Sequence, residues 1–494
     1  MKFKKVLSAA LSAAMAVTML TACGTNKKTA DGGMVTLKYV MCAPGKQEDS
    51  DRVWAEWNKT LQEKLPNVQV EFEVIPLSEF RQSFSLMLAS NETMDIVNNY
   101  GLDFATEVEN GTFAPLNELV AEYGQDLTAA LPEWFMEYQK INGEIYGIPT
   151  YQMCANMRGM VFIKEYADKY LDLEGFTKAL HSSQRFNDET LSYLDDMLAK
   201  MKADGIKYKT VSIPNIKGAE NIVSSYSYID GKVMNYYASE EMKNVCLKRA
   251  RDWYTNGYIR EDVVGATDTS NYEGKKDGLP FWDTVWTPYV QDNLSAKYGI
   301  ELITVPYSDK YFIDHNNTAG GTSIMSSSKH KEEAMQVINL LNSDKELYNM
   351  LVYGIEGEHY TKVGDDRIET VSPTGQATAN DKYGLYKWIV GNTELAYQHQ
   401  LEPDGYKEWV FEEVNSSDYV SDLMGFVPDI SNIETELSQV EAVNGEFYAD
   451  LVTGAFENWE ERYDKWQKKL ELAGDKKICE ELQKQIDEFL KNNK

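Results

Sequence analysis

The sequence predicts an α/β protein with more than one hydrophobic core. Strand-like segments, in which apolar residues alternate, are interspersed with helix-like segments whose apolar residues recur every three or four positions, and this order is typical of α/β layers. The chain has 494 residues, a length that favours about two or three domains. Hydrophobic residues make up 43% of it and aromatic residues 12%, which is enough apolar material for globular cores.

The first elements follow one another in the order strand, helix, strand, helix, strand. They are expected at residues 35–41, 51–64, 68–75, 80–89 and 94–98. The segment VTLKYVM alternates with period two, as a half-buried strand does, and DRVWAEWNKTLQEK has one apolar face, as an amphipathic helix does. In an open α/β sheet, ligands bind beyond the carboxyl ends of the strands. The polar loop 99–103, which follows the fifth element, is therefore a candidate binding site.

The N-terminus has the pattern of a secretory signal. Three lysines precede an uncharged apolar stretch at 6–20, which is shorter than the roughly twenty residues that a membrane-spanning helix needs. LTACG at 20–24 then resembles the lipobox of bacterial lipoproteins. The resemblance implies a signal peptide at 1–22, lipidation of Cys23, a tether at 23–34 and anchoring to the outer face of the cytoplasmic membrane. The alternative is an ordinary signal peptide in which the cysteine is incidental.

The charge balance excludes several classes of partner. The formal net charge is -29, and removal of the three lysines in residues 1–22 moves it to about -32. Nucleic acids and anionic membrane surfaces are bound through clustered Lys and Arg, so we expect neither as a partner, and we expect a monomer. Apart from Cys23, the cysteines are Cys42, Cys154, Cys246 and Cys479. They form no CxxC pair and predict no disulfide framework.

Motifs of catalysis are missing from the sequence. The chain has five histidines and contains no HExxH zinc motif, no GxSxG elbow, no phosphate-binding GxxxxGK[ST] loop and no EF-hand calcium loop. We therefore expect no enzyme activity, no catalytic residue, no metal and no cofactor. A glycosidase remains an alternative, because two suitably spaced carboxylates suffice for that chemistry and the chain has 78 Asp and Glu residues.

Three segments carry a resemblance to a known family. MDIVNNYGLDFATEVENGTFAPLNEL at 94–119, NGEIYGIPT at 142–150 and GTSIMSSSKHKEEAMQVINLLNSDKE at 321–346 resemble, in order, segments of the family 1 extracellular solute-binding proteins. The resemblance implies a periplasmic-binding-protein-like fold, in which two α/β lobes are joined by a hinge around a ligand cleft. It also implies the function of such proteins, which capture a ligand by hinge closure and deliver it to the permease of an ABC importer.

The C-terminal region narrows the resemblance. Residues 425–488 are similar to the DUF3502 module of LplA-like lipoproteins from Gram-positive bacteria, and GIEGEHY at 354–360 fits the same group. The apolar residues of the last segments repeat every four positions and predict two helices with Gly474 between them. These residues are Trp459, Tyr463, Trp466 and Leu470, then Ile478, Leu482, Ile486 and Leu490. We expect both apolar stripes to pack on the second lobe.

The family resemblance also implies how the chain is divided. The first lobe is expected at 35–148 and 319–362, and the second at 149–305 and 374–494, with the DUF3502-like module at about 425–490. The hinge crossings are expected at 306–318 and 363–373.

A carbohydrate, in particular an oligosaccharide, is the predicted ligand. Sugars have flat C–H faces and a rim of hydroxyls, so a sugar site needs aromatic rings and hydrogen-bonding groups beside them. GLPFWD at 278–283 resembles the segment that lines the cleft in maltodextrin-binding relatives, which makes Trp282 and Asp283 candidates. Trp286 would lie one turn further along a helix at 284–293. The alternative is that both tryptophans are core residues at positions i and i+4.

Further candidates come from loops and from the crossing after residue 150. Each of these candidates follows a predicted strand or turn. The candidates are Asn99, Tyr100, Asp103, Tyr151, Asn156, Arg158, Tyr226 and Trp388. For Arg158 a structural ion pair is an equal alternative. A lipoprotein that binds a peptide or another small polar solute is the main rival function, and a cell-surface glycosidase or adhesin is the third.

Overall fold

A computed structural model describes most of the chain. The described residues are 33–492 without 156, 184–185, 215–219, 309–310, 312, 314–319, 371–377, 379 and 417–419. The predicted signal peptide, Cys23 and the tether up to residue 32 lie outside the described residues, and so does Asn156.

The elements alternate between strands and helices in three runs. The first run is β1 Val35–Ala43, α1 Ser50–Lys64, β2 Val68–Pro76, α2 Phe80–Ala89, β3 Ile96–Asn98, α3 Phe104–Glu109, α4 Asn117–Tyr123, α5 Gln125–Ala130, β4 Lys140–Ile141, β5 Glu144–Ile145 and β6 Ile148–Pro149. The second is β7 Arg158–Ile163, α6 Lys164–Tyr170, α7 Leu173–Ser183, α8 Asp188–Ala203, β8 Glu220–Val223, β9 Tyr226–Ile229, β10 Lys232–Asn235, α9 Lys248–Thr255, β11 Phe281–Val285, α10 Val290–Tyr298 and β12 Leu302–Pro306. The third is β13 Gly321–Ile324, α11 Lys331–Ser343, α12 Lys345–Tyr353, β14 Tyr360–Lys362, β15 Arg367–Thr370, β16 Gln398–His399, α13 Tyr406–Glu408, α14 Glu434–Val452, α15 Trp459–Ala473 and α16 Asp475–Asn492.

The first large sheet has the strand order β2-β1-β3-β13-β6. β1 pairs in parallel with β2 and β3, whereas β13 runs antiparallel to both β3 and β6. This pairing confirms the predicted strand–helix alternation of residues 35–98. The carboxyl ends of β1, β2, β3 and β6 therefore share one edge with the amino end of β13. The chain leaves the sheet at this edge after Pro149 and returns to it at Gly321.

The second sheet has three strands in the order β11-β7-β12, and both pairings are antiparallel. Its central strand begins at Arg158, while the outer strands end at Val285 and Pro306. These three positions lie at the same edge. Because the chain enters the sheet at Arg158 and leaves towards β13 after Pro306, this edge is the one next to the crossing segments.

Two hydrophobic cores surround these sheets. The second core contains residues from 160–307 and from 423–486, and the first contains residues from 37–155 and from 313–414. The structure differs here from the sequence-based boundaries, which put 149–155 and 374–414 in the second lobe. Tyr151, Ile389 and Trp409 pack in the first core.

The predicted crossing at 363–373 is wrong. β15 occupies residues 367–370 of that stretch and pairs with β14 and β16 in a small sheet, with Ile368 fully buried in the first core. Strand pairing and burial hold residues 367–370 inside the first lobe. The chain passes to the second core later, between Val414 and Leu423.

The C-terminal helices cover the second core, as the apolar stripes predict. Tyr463, Trp466 and Leu470 of α15 are buried there, as are Ile478, Leu482 and Ile486 of α16. Gly474 separates the helices at a φ of 97°, a left-handed conformation that glycine adopts without steric cost. Among the described helices, none is both long and apolar enough to cross a membrane.

Candidate functional site

A half-buried group of rings lies beside the edge of the first sheet. The edge-on contact of Tyr100 with Trp388 has ring centroids 5.0 Å apart and an interplanar angle of 77°. Trp388 stacks on Tyr386 at 5.5 Å and 18°. All three side chains remain partly exposed. We call Tyr100, Tyr386 and Trp388 the aromatic platform, because aromatic faces of this kind accept the C–H face of a sugar.

Asn98 holds the aromatic platform together. It is the last residue of β3 and is fully buried. Its Nδ2 donates a hydrogen bond to the carbonyl of Ile389 at 2.9 Å, and its Oδ1 accepts one from the backbone N–H of Tyr100 at 3.2 Å. A single amide thus joins the loop after β3 to the short turn that carries Trp388.

An ion pair lies at the corresponding edge of the second sheet. Arg158 Nη2 donates to Asp283 Oδ2 at 3.0 Å, with 46% and 24% of the two side chains exposed. Burial raises the pKa of the Asp283 carboxyl, and the Arg158 guanidinium partly opposes that shift. The other carboxylate oxygen, Oδ1, is buried and has no hydrogen-bond partner in the described part of the chain.

Trp286 lies next to this ion pair in the chain, in the loop after β11. Its backbone N–H donates to the carbonyl of Met157 at 2.8 Å. Its ring packs so closely on Gly159 that a Cβ there would come within 2.8 Å of Trp286 Cδ1. The helix predicted at 284–293 is wrong, because β11 continues to Val285 and α10 begins only at Val290.

One crossing segment links the two groups. Gln152 Nε2 donates to the carbonyl of Trp388 at 3.3 Å, and Met157 accepts from Trp286 as described above. Five residues of chain span at most about 18 Å. The segments that carry Trp388 and Trp286 are therefore tied to the two ends of one short crossing segment.

Two predicted ligand residues are core residues instead. Trp282 lies inside β11 with 8% of its surface exposed, and its ring meets Tyr298 edge-on at 6.2 Å. Tyr226 is fully buried in the second core, where its hydroxyl donates to Asp475 Oδ1 at 2.8 Å. Burial raises the pKa of Tyr226 far above its usual range. Both side chains contribute to packing, as the alternative for Trp282 proposed.

Other predicted residues have their polar groups engaged by the protein itself. Asn99 is buried; its Nδ2 donates to Gln139 and Ser323, and its Oδ1 accepts from the N–H of Gly321. Asp103 is exposed and caps α3 by accepting from the N–H of Thr106 at 3.4 Å. The Asn99 amide is therefore occupied by the protein, whereas the exposed Asp103 carboxylate serves as a helix cap.

Tyr151 is also enclosed by protein. Its ring lies 5.0 Å from Phe135 and 5.3 Å from Phe411, and burial raises its pKa to about 12. Its backbone forms a bridge with Asn392. The structure thus brings together Tyr100 with Trp388, and Arg158 with Asp283 and Trp286.

Sequence reasoning missed Tyr386 and a second aromatic group. Tyr289, Tyr311, Tyr406 and Trp409 contact one another with centroids 6.0–6.4 Å apart, and the hydroxyl of Tyr289 donates to the carbonyl of Asp404 at 3.1 Å. Tyr386 could have been found from its place two residues before Trp388. The second group joins Tyr289 and Tyr311 to Tyr406 and Trp409, about a hundred residues later, so no local signal marked the whole group.

No metal site is evident in the described ranges. Their His, Cys, Asp and Glu side chains form no group of three or more that could hold a metal ion.

Two family models match the chain. The model of the bacterial extracellular solute-binding proteins matches residues 45–347, which is more than half of the sequence. A domain of unknown function, DUF3502, matches residues 422–491. A Streptococcus pneumoniae protein described as a carbohydrate ABC transporter substrate-binding protein is 26% identical, with 100% of this chain and 99% of that protein covered.

Solved structures show the same fold. The N-glycan transport solute-binding protein NgtS of Streptococcus pneumoniae is 24% identical and superposes with a TM-score of 0.73 over 93% of this chain and 100% of that one. Its complex with Man5GlcNAc gives a TM-score of 0.60 over 93% and 99%. An HMO-binding solute-binding protein of Bifidobacterium longum infantis is 15% identical, with a TM-score of 0.64 over 92% and 99%.

Proposed function

We propose that this chain, which belongs to the family of bacterial extracellular solute-binding proteins, is the carbohydrate-binding component of an ABC importer and takes an oligosaccharide as its ligand. The family membership rests on the match over residues 45–347. Family membership does not specify the ligand, and the oligosaccharide is our proposal.

The aromatic platform is the observation that carries the proposal. Tyr100, Tyr386 and Trp388 form one contiguous group of partly exposed rings beside the edge of the first sheet. Partly exposed aromatic rings beside charged hydrogen-bonding groups match the amphipathic surface of a sugar. The relatives with glycan ligands in their descriptions support this chemistry.

The proposed mechanism is closure of the two lobes on the glycan. A ligand favours the closed state only through contacts that it makes better there than in the open state. Groups on both sheets are therefore needed, and the platform and the Arg158–Asp283 pair supply one on each side.

Location and partners complete the proposal. Acylation of Cys23 would hold the protein on the outer face of the cytoplasmic membrane of a Gram-positive cell, since two or more buried acyl chains give stable attachment. The protein would act as a monomer that docks on the permease and would bind its glycan without turning it over.

A ligand screen tests the function directly. The chain from residue 24 onward is mixed with Man5GlcNAc, kestose, maltotetraose, short peptides and polyamines, and its thermal unfolding is followed. A ligand present at 100 times its Kd stabilises the folded state by about 2.7 kcal/mol, so an oligosaccharide is expected to raise the Tm. Stabilisation by peptides or polyamines alone would contradict the proposal, and glycan hydrolysis would contradict the absence of catalysis.

A further inference from the structure

Tyr289 joins the second lobe to the first. It directly precedes α10, which packs on the second core through Leu294. The Tyr289 hydroxyl donates to the carbonyl of Asp404 at 3.1 Å. Its ring centroid lies 6.3 Å from that of Tyr406 and 6.4 Å from that of Trp409. One side chain of the second lobe thus makes a hydrogen bond and two ring contacts with the segment 404–409.

The partners of Tyr289 are fastened to the first lobe. Trp409 is buried in the first core, and Tyr406 packs against the same core. The Asp404 carboxylate forms an ion pair with Arg367 at 2.5 Å. Arg367 belongs to β15, which pairs with β14 and β16 in the first lobe. The contacts of Tyr289 therefore connect the two cores rather than two parts of one lobe.

The second aromatic group also includes two connections between the lobes. Tyr311 lies on the crossing between β12 and β13; its hydroxyl accepts from Trp409 Nε1 at 2.8 Å and donates to Glu413 Oε1 at 2.9 Å. Residues Trp409–Val414 form a π-helical turn just before the chain passes to the second lobe. Turns of this kind are rare and are frequent at functional positions. The group therefore links both lobes with two of the segments that join them.

We propose that Tyr289 is a latch between the lobes, which stabilises the lobe spacing of this structure relative to other spacings. Hinge motion changes the distance between residues of different lobes, so the contact of Tyr289 with Tyr406 is kept at one spacing and lost at others. The inference rests on the lobe closure proposed above and adds the residue that biases its equilibrium. Apparent ligand affinity scales with the fraction of protein in the binding-competent spacing, so the latch also contributes to affinity.

The contact has the strength of a latch that can open. Loss of one neutral hydrogen bond and two ring pairs changes an equilibrium constant roughly 10- to 100-fold. Tyr289 and Tyr406 are both half-buried, and the hydrogen bond of Tyr289 is exposed, so water can replace Asp404 as its partner when the lobes separate. A contact of this size biases the protein towards one spacing without locking it there.

The chain offers a matched control that lies within one lobe. Tyr254 is also half-buried, and its hydroxyl also donates to a backbone carbonyl, that of Glu261, at 3.2 Å. Its ring packs against the second core. Loss of Tyr254 therefore removes a similar set of contacts without releasing one lobe from the other.

The test measures the distance between the lobes in the absence of glycan. Spin labels are placed at Glu63→Cys on α1 and Lys200→Cys on α8, which are exposed positions on helices of the first and the second lobe. The half-buried Cys479 is replaced in the chain from residue 24 onward by Cys479→Ser, and the other described cysteines are buried. Pulsed electron spin resonance then compares the otherwise unchanged protein with Tyr289→Ala, Tyr289→Phe and Tyr254→Ala.

The latch predicts a different distance distribution for each variant. Tyr289→Ala is expected to lower the population at the original distance roughly 10- to 100-fold relative to the other distances. Tyr289→Phe, which keeps the ring contacts, is expected to lower it less, and Tyr254→Ala is expected to leave it unchanged. An unchanged distribution in Tyr289→Ala would overturn the latch. An equal change in Tyr254→Ala would also overturn it, because it would reflect general loosening of the fold.

Two further outcomes are also decisive. If Tyr289→Ala does not fold, Tyr289→Phe replaces it: a smaller population at the original distance supports the latch and an unchanged one overturns it. Because the distances are measured without a ligand, failure of every oligosaccharide to bind would overturn the carbohydrate function and leave the latch to be decided by the distances alone. A distance that is the same in every variant and is unchanged by a bound glycan would overturn both the latch and the lobe closure.

Discussion

Alanine substitution of two tryptophans, one at a time, separates the role of the aromatic platform from that of the core. Trp388 is half-exposed and contacts Tyr100 and Tyr386, whereas Trp282 is buried inside β11. We predict that Trp388→Ala weakens oligosaccharide binding and that Trp282→Ala chiefly lowers the free energy of unfolding. The two variants should therefore affect different measurements.

The magnitudes follow from the contacts. Trp388→Ala removes two ring pairs worth about 0.5–1.5 kcal/mol each, so it should cost about 1–3 kcal/mol of stability. Loss of an aromatic anchor from a binding site costs about 2 kcal/mol of affinity, which corresponds to about 30-fold in Kd. Trp282→Ala leaves a cavity in the second core and should cost about 3–5 kcal/mol of stability. Its folded fraction should bind the glycan within about threefold of wild type.

Calorimetry and denaturant unfolding measure the two effects separately. Wild type and both variants are titrated with the best oligosaccharide of the screen, below the temperature at which the less stable variant begins to unfold. Strong loss of affinity in Trp282→Ala together with wild-type affinity in Trp388→Ala would refute the reasoning. The platform would then not be the sugar site.

Three further predictions follow from single residues. Asn98→Ala removes both hydrogen bonds that hold the platform together. Glycan binding should weaken, and the free energy of unfolding should fall by about 1–3 kcal/mol. Unchanged glycan affinity by calorimetry would count against this role of Asn98. Tyr226→Phe removes the hydrogen bond to Asp475 and should lower the free energy of unfolding, measured in urea, by about 1.5–3 kcal/mol without altering glycan affinity. A changed Kd would contradict a purely structural role of Tyr226. The pKa of Asp283 is raised by burial, so the proton that removes its negative charge binds at a higher pH than for an ordinary carboxyl. Affinity should fall as the pH drops through that raised pKa, because the charged form binds, and the fall should be absent in Asp283→Asn. Because the folded state binds this proton more tightly than the unfolded state does, Asp283 stabilises the fold fully at pH values below its unfolded-state pKa. This stabilisation is lost as the pH rises through the folded-state pKa.

Local pattern was sufficient for some of these features. Tyr100 lies in a loop that directly follows a short buried strand, so the rule that ligands bind beyond strand ends makes it a candidate without knowledge of the packing. The apolar stripes of α15 and α16 could likewise be predicted from the sequence, because helix periodicity depends on neighbouring positions only.

Other features depend on contacts between distant parts of the chain. The segment GLPFWD does not reveal that Tyr298, sixteen residues later, covers Trp282. Residues 383–414 were assigned to the second lobe, yet the backbone of Tyr151 hydrogen-bonds to Gly391 and Thr393 and fixes them in the first core. Pairing of this kind leaves no periodic signal, so the lobe boundaries and the burial of Trp282 had to come from the structure.

A crystal structure of the chain with a bound oligosaccharide tests the central claim most directly. We predict that a sugar ring stacks on Trp388 or Tyr100 and that the same glycan contacts the Arg158–Asp283 pair. A glycan bound away from both the aromatic platform and the Arg158–Asp283 pair would contradict the account.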